Sequence, residues 1–175
     1  MKIVHPICCG MDIHKNIIVA TIATTDSNGI TTYEQSTFST MNNDVIKLRD
    51  WLLSHNCRYA CMESTGKYWI PIWNILEKKI NLTLAHPKYT KAIKGKKTDK
   101  KDSKWIADLF KHDLVPNSFI PPADIRQLRD LSRYRYKLTY IKVSEKNRIQ
   151  NCFTMSNIRI DSVVSDPFGK SARLI

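Results

Sequence analysis

Two carboxylates, Asp99 and Asp102, sit three residues apart at the start of the segment Lys97–Phe110. The spacing predicts a helix there, with Trp105, Ile106, Leu109 and Phe110 forming an apolar stripe of helical period. Both acids then lie on or near that stripe, at its amino end, while Lys100, Lys101 and Lys104 mostly point elsewhere. An inward carboxylate is costly unless compensated, and two acids one turn apart repel each other. Helix-start capping accounts for one such Asp more readily than for two. A divalent cation would offset both charges, because Mg²⁺ (or Mn²⁺) takes hard oxygen ligands. Two further acids stand at strand ends, Asp12 closing Ile7–Asp12 and Glu63 closing Arg58–Glu63. Several acidic oxygens around one cleft can hold two metal ions about 3.5–4 Å apart, and such a pair drives phosphodiester displacement.

The elements that must position these acids follow in order. Pro6 suits the start of the first strand, where a ladder donor can be spared. Asn16–Ala23 is a second, β-branched strand. Asp26-Ser27-Asn28-Gly29 predicts a hairpin turn, and roughly Ile30–Phe38 forms a third, more polar strand. Asn42-Asn43-Asp44 supplies caps for a helix with Val45, Leu48, Trp51 and Leu52 inward. The nearly apolar Arg58–Glu63 predicts a strand buried on both faces, broken by Ser64-Thr65-Gly66. A second helix carries Trp69, Ile72, Trp73 and Leu76 on one stripe, with Pro71 tolerated in its first turn. Asn81–Ala85 is a fifth strand. The residues from Asp113 to Pro122 predict a linker, with Pro116, Pro121 and Pro122 as breakers. A long helix follows over about Asp124–Phe153. The order strand-strand-strand-helix-strand-helix-strand-helix predicts an α/β, ribonuclease H-like mixed sheet over residues 1–115. A helical, coiled-coil segment occupies 123–175.

The 175 residues allow one domain with a real core plus an appendage. Hydrophobic content of 42% and charged content of 25% are those of a soluble globular protein. No apolar run is long enough to span a membrane, and the amino terminus lacks a signal peptide's apolar core. A cytoplasmic protein without a membrane partner is expected. The five cysteines contain no CxxC pair and read as reduced, mostly buried thiols. The five histidines form no zinc pattern.

The net charge of +12 points to a polyanionic partner, nucleic acid before a membrane surface. The charge is clustered. Lysines 88, 91, 94, 96, 97, 100, 101 and 104 form a basic run that leads into the acidic pair, and Lys88, Lys91, Lys94, Lys96 and Lys97 are its candidate strand-binding residues. Along the long helix, Ile125, Leu128, Leu131, Leu138 and Ile141 make a broken stripe. Basic side chains including Arg126, Arg129 and Arg133 cover much of the rest, with Tyr134, Tyr136 and Tyr140 interleaved. Phosphates would take that charge and bases could stack on the rings. Half of a two-helix coil, and hence a homo-oligomer (dimer or tetramer), is the alternative use of the same helix.

Three stretches resemble the motifs of the DEDD insertion-sequence transposases: Gly10-Met11-Asp12-Ile13-His14-Lys15, Met62-Glu63-Ser64-Thr65-Gly66, and Lys97-Thr98-Asp99-Lys100-Lys101-Asp102-Ser103. The amino-terminal domain of these enzymes is similar to the RuvC Holliday-junction resolvase, and site-specific DNA invertases share the pattern. The stretch Ser162–Lys170 is similar to the family's segment between its two domains. The resemblance implies that Asp12, Glu63, Asp99 and Asp102 form the catalytic, metal-binding set and that the partner is DNA, cleaved and transferred during transposition. It implies also a second domain bearing a serine for strand cleavage and joining, which this sequence stops before. Some family members work with a guide RNA, which the basic helix could contact. Two rivals predict other features. An actin-like ATPase needs a Gly-rich phosphate turn after its strand-end Asp, and Ile13-His14-Lys15-Asn16 has none. A non-catalytic nucleic-acid-binding or dimerisation module predicts basic surfaces without a metal cluster.

Overall fold

A computed structural model describes residues 2–63, 66–90 and 99–174, without the side chains of residues 89, 90, 99 and 100. Five strands form one sheet in the order β3-β2-β1-β4-β5. The opening meander is β1 (Ile7–Ile13), β2 (Ile17–Thr25) and β3 (Thr31–Ser39). The strands β4 (Tyr59–Glu63) and β5 (Asn81–Ala85) lie parallel to β1 on its other side. Three antiparallel strands followed by two parallel ones, in this order, make the ribonuclease H-like sheet expected from the element order.

The β1–β2 register runs from Ile7 opposite Thr24 to Ile13 opposite Ile18. The turn between them is closed by the His14 amide donating to the Ile17 carbonyl at 2.9 Å. Asp26 caps the β2–β3 hairpin, accepting from the amides of Asn28 and Ile30 at 2.9 and 2.8 Å. Gly29 adopts φ +81° there, a conformation that costs a residue without Cβ little.

The alternation of each strand splits the core between two faces. On one face Met11, Ile13, Ile22, Leu48, Ile72 and Leu76 pack together, under α1 (Asn42–Ser54) and α2 (Trp69–Leu76). On the other, Cys8, Cys61, Ala85, Ile106, Ala107 and Phe110 pack together, under α4 (Asp99–Lys111). Strands β1 and β4 are therefore buried on both sides, which explains why their sequences are nearly continuous apolar runs.

Several expectations need correction. Asn42, Asn43 and Asp44 do not cap α1: its cap residue is Met41, with no side-chain bond. The Ser39 hydroxyl bonds the Asp44 carboxylate and receives the Met41 amide instead. The stripe of α4 is turned by about one position. Ser103, Ile106, Ala107 and Phe110 are buried, whereas Trp105 and Leu109 are half-buried, because the helix lies so close to the sheet that small residues must face it. The first part of the 113–122 segment is not a free linker. Val115 is buried, Asn117 bridges Ala85, and the Ser118 amide donates to the Leu84 carbonyl at 3.0 Å, so the segment adds to the β5 edge. Within the basic run, Pro87–Thr90 forms the short helix α3; Lys91, Lys94, Lys96 and Lys97 lie outside the described residues.

The chain divides into two compact units, Met1–Ile120 and Pro121–Ile175. The second consists of α5 (Ala123–Met155, 33 residues) and two 3-10 turns at Ile160–Ser162 and Ser171–Arg173. No residue of α5 is buried, so its apolar positions do not form an internal stripe. Among the described residues no helix is long and apolar enough to cross a membrane.

Candidate active site

Asp12 lies on the same face of β1 as Cys8 and Gly10, the face that α4 covers. Glu63 lies on the same face of β4 as Cys61, again under α4. The parallel register pairs Met11 with Met62. One step further along, Asp12 and Glu63 are therefore side by side, with Cα atoms on the order of 5 Å apart as adjacent strands require. Asp12 is only 6% exposed, and Glu63 is half-buried.

The direction of α4 follows from three contacts. The Lys111 carbonyl accepts from the amides of Val4 and His5 at 2.9 and 3.2 Å, the Ala107 carbonyl accepts from Cys8 Sγ at 3.7 Å, and the Ser103 carbonyl faces Gly10. The helix thus runs antiparallel to β1. From Ser103 back to Asp99 it climbs about 6 Å, much the same as the advance of β1 from Gly10 to Asp12. The first turn of α4, with its two acids, is consequently level with the strand-end carboxylates.

Gly10 sets how close the two elements come. A Cβ at this position would fall 2.3 Å from both the Ala107 nitrogen and the Ser103 oxygen, so any side chain there would collide with the helix backbone. A polar network fixes the helix's rotation. Ser103, fully buried, shares a hydrogen bond of 2.8 Å with the Thr21 hydroxyl, and Gln35 Nε2 donates to both oxygens, at 2.7 Å to Thr21 and 3.1 Å to Ser103. Further along, Tyr33 donates its hydroxyl hydrogen to Asp108, and Lys111 Nζ reaches Asp108 at 3.2 Å and Thr31 at 3.1 Å. This flank of α4 is tied to β2 and β3. The helical period then directs the opposite flank, Asp102, Trp105 and Leu109, toward β4. Asp102 is half-buried. The Trp105 indole nitrogen is buried and finds no acceptor among the described residues.

Sequence reasoning missed His14, whose Nε2 lies 3.2 Å from Asp12 Oδ2. The signal was available, since residues two apart on an extended segment share a face. Ser103, Thr21 and Gln35 carried no such signal, because their meeting depends on packing between distant elements.

Of the four predicted acids, Asp12 and Glu63 come together, Asp102 lies on the helix flank facing them, and the side chain of Asp99 is outside the described ones. Among the described residues no three His, Cys, Asp or Glu side chains form a group that could hold a metal ion. The donor chemistry nevertheless fits a hard dication, as two carboxylates on adjacent strands under a helix offer hard oxygen ligands. The four buried cysteines supply no alternative chemistry. Burial pushes the Cys8 and Cys57 thiols up to about 12 and raises those of Cys9 and Cys61 as well, which keeps all four protonated and inert at neutral pH. An open cleft of about 560 Å³ beside His5, Tyr59, Asn81 and Phe110 lies at the opposite end of the parallel strands.

A ribonuclease H-like sheet in this strand order, with a helix across the face of its central strands, is the fold of the RuvC-like nucleases and recombinases, a class that generally uses divalent metals. The sequence model of the IS110-type DEDD family, described as transposase, matches residues 9–157, and the chain belongs to this transposase family. Among solved structures, Thermus thermophilus RuvC is 8% identical, with 64% of this chain and 99% of that one covered and a TM-score of 0.48. The fowlpox virus Holliday junction resolvase is 13% identical, over 62% of this chain and 99% of that one, with a TM-score of 0.46. The yeast mitochondrial Holliday junction resolvase Ydc2 is 14% identical, over 61% and 81%, at 0.36. No curated protein matches.

Proposed function

We propose that Asp12, Glu63, Asp99 and Asp102 form the metal-binding, catalytic set of this transposase, with Mg²⁺ or Mn²⁺ as the ion and DNA as the substrate. The observation that carries the proposal is the placement of Asp12 and Glu63 side by side on the face that α4 covers. When bound, the metal ions supply Lewis acidity and activation of the attacking oxygen. The chain's own residues do the positioning. Asp12 is held by the rigid central strand, and His14 donates to its Oδ2, steadying one oxygen. Gly10 and the Ser103–Thr21–Gln35 network set the height and rotation of α4, and with them the acids in its first turn.

Residues 1–115 then act as the catalytic domain, with 123–175 as a helical segment. Lys88, Lys91, Lys94, Lys96 and Lys97, with Arg126, Arg129 and Arg133, hold the phosphate backbone. The exposed apolar residues of α5, among them Leu131 at 68% and Leu138 at 49%, support pairing with a second copy. A guide RNA is a second polyanion for the basic side chains.

Asp12→Asn tests the reading, because it keeps the shape and removes the charge. It should abolish metal-dependent DNA cutting by the transposase. In this chain it should weaken Mn²⁺ uptake measured by calorimetry, with thermal unfolding unchanged. Cutting that survives the substitution would overturn the assignment.

A further inference from the structure

We propose that one face of α5 is a binding site for single-stranded nucleic acid, with Tyr136 and Tyr140 as stacking platforms and Lys137 as an added phosphate contact. The proposal deepens, and rests on, the nucleic-acid reading of Arg126, Arg129 and Arg133. The helix is continuous from Ala123 to Met155, so each residue turns by about 100° from the last. On that wheel Arg126, Arg129, Arg133, Tyr136, Lys137 and Tyr140 fall within one arc of about 100°. Every position of the stretch 126–140 inside that arc is basic or tyrosine. Asp130, the stretch's one acid, falls outside it, and Leu131 and Leu138 lie on the far side.

The face is presented to solvent. Tyr136 is 72% and Tyr140 68% exposed, and Arg129, Arg133 and Lys137 are exposed too. Arg126 is anchored, its Nη1 donating to the Pro121 carbonyl at 2.8 Å. Further along the same helix Arg148 is paired with Glu145 at 2.7 Å. By contrast no acidic side chain is paired with Arg129, Arg133 or Lys137 among the described residues.

The chemistry of the face selects its occupant. Four cations in one arc repel the same face of a second copy and attract a polyanion. Two tyrosines one turn apart offer flat, sequence-tolerant surfaces for bases, and only an unpaired strand leaves its base faces available to them. From Arg126 to Tyr140 the helix advances about 21 Å, long enough to run beside several nucleotides of one strand.

The test uses the whole chain and fluorescent oligonucleotides about twelve nucleotides long, as single-stranded DNA, single-stranded RNA and duplex DNA, with EDTA present so that no result depends on the carboxylate site. Stacking is worth about 1–3 kcal/mol per base, so Tyr136→Ala with Tyr140→Ala should lower single-strand affinity at least about tenfold. Duplex affinity should hardly change, and Tyr136→Phe with Tyr140→Phe should bind single strands like the parent. The DNA and RNA arms show which strand is preferred. No loss on either single strand, an equal loss on duplex, or a shift in oligomeric state on gel filtration would overturn the proposal. A Tyr result of any kind leaves the Asp12→Asn outcome independent.

Discussion

Gly10→Ala is the sharpest test of how the site is assembled. The added methyl would lie 2.3 Å from two backbone atoms of α4, the Ala107 nitrogen and the Ser103 oxygen, where ordinary contact begins near 3.4 Å. Neither obstacle is the tip of a flexible side chain, so the helix itself must retreat by about 1 Å. Overpacking of this kind costs about 1–3 kcal/mol. The more telling effect is on chemistry. On the proposed assignment, the retreat carries the acids of the first turn away from Asp12 and Glu63, and a displacement of about 1 Å at reacting groups can cost on the order of a hundredfold in rate. Two measurements on the same variant separate the effects: urea unfolding for stability, and metal-dependent nicking of supercoiled DNA at a temperature where the variant is folded. The expected result is a modest loss of stability with a loss of nicking far larger than the unfolded fraction explains. Unchanged stability and unchanged nicking would refute the reasoning, since the helix would then not be seated on Gly10.

Ser103→Ala removes one member of a buried hydroxyl network, leaving Thr21 to Gln35 Nε2 alone within it; urea unfolding should show a loss of about 1–3 kcal/mol. The thiols dictate an alkaline limit. Cys8 and Cys57 ionise near 9 in the unfolded chain and near 12 when folded, so between those values the folded state holds more protons and stability falls as pH rises, by about 1.4 kcal/mol per thiol per pH unit; below pH 9 the thiols should leave stability flat. A thiol reagent at neutral pH should find the exposed Cys152 and spare the four buried cysteines until the protein unfolds. Binding to nucleic acid should weaken steeply with salt, each phosphate contact adding about 0.7–0.9 to the slope of log affinity against log salt; a flat response would remove the electrostatic argument.

Strand and helix identities were legible because they depend on local periodicity. Asn81–Ala85 alternates, the stretch beginning at Trp69 follows a helical stripe, and both elements appear with those bounds or nearly so. The acids at Asp12 and Glu63 were legible for the same reason: each ends an apolar strand, where a charge is unexpected. Periodicity could not tell which stripe of α4 meets the sheet. Trp105 and Leu109 have the stronger hydrophobic signal, yet Ser103 and Ala107 face inward, because Gly10 lets the helix approach so closely that only small side chains fit. Nor could it show that Val115 and Asn117 extend the β5 edge, since Pro116 beside them signals a break. Local sequence thus determined the elements and the residue types at their ends. Only the tertiary structure decided which of those ends meet, because strand register, the antiparallel course of α4 over β1 and the hydroxyl network that sets its rotation are all contacts between residues far apart in the chain.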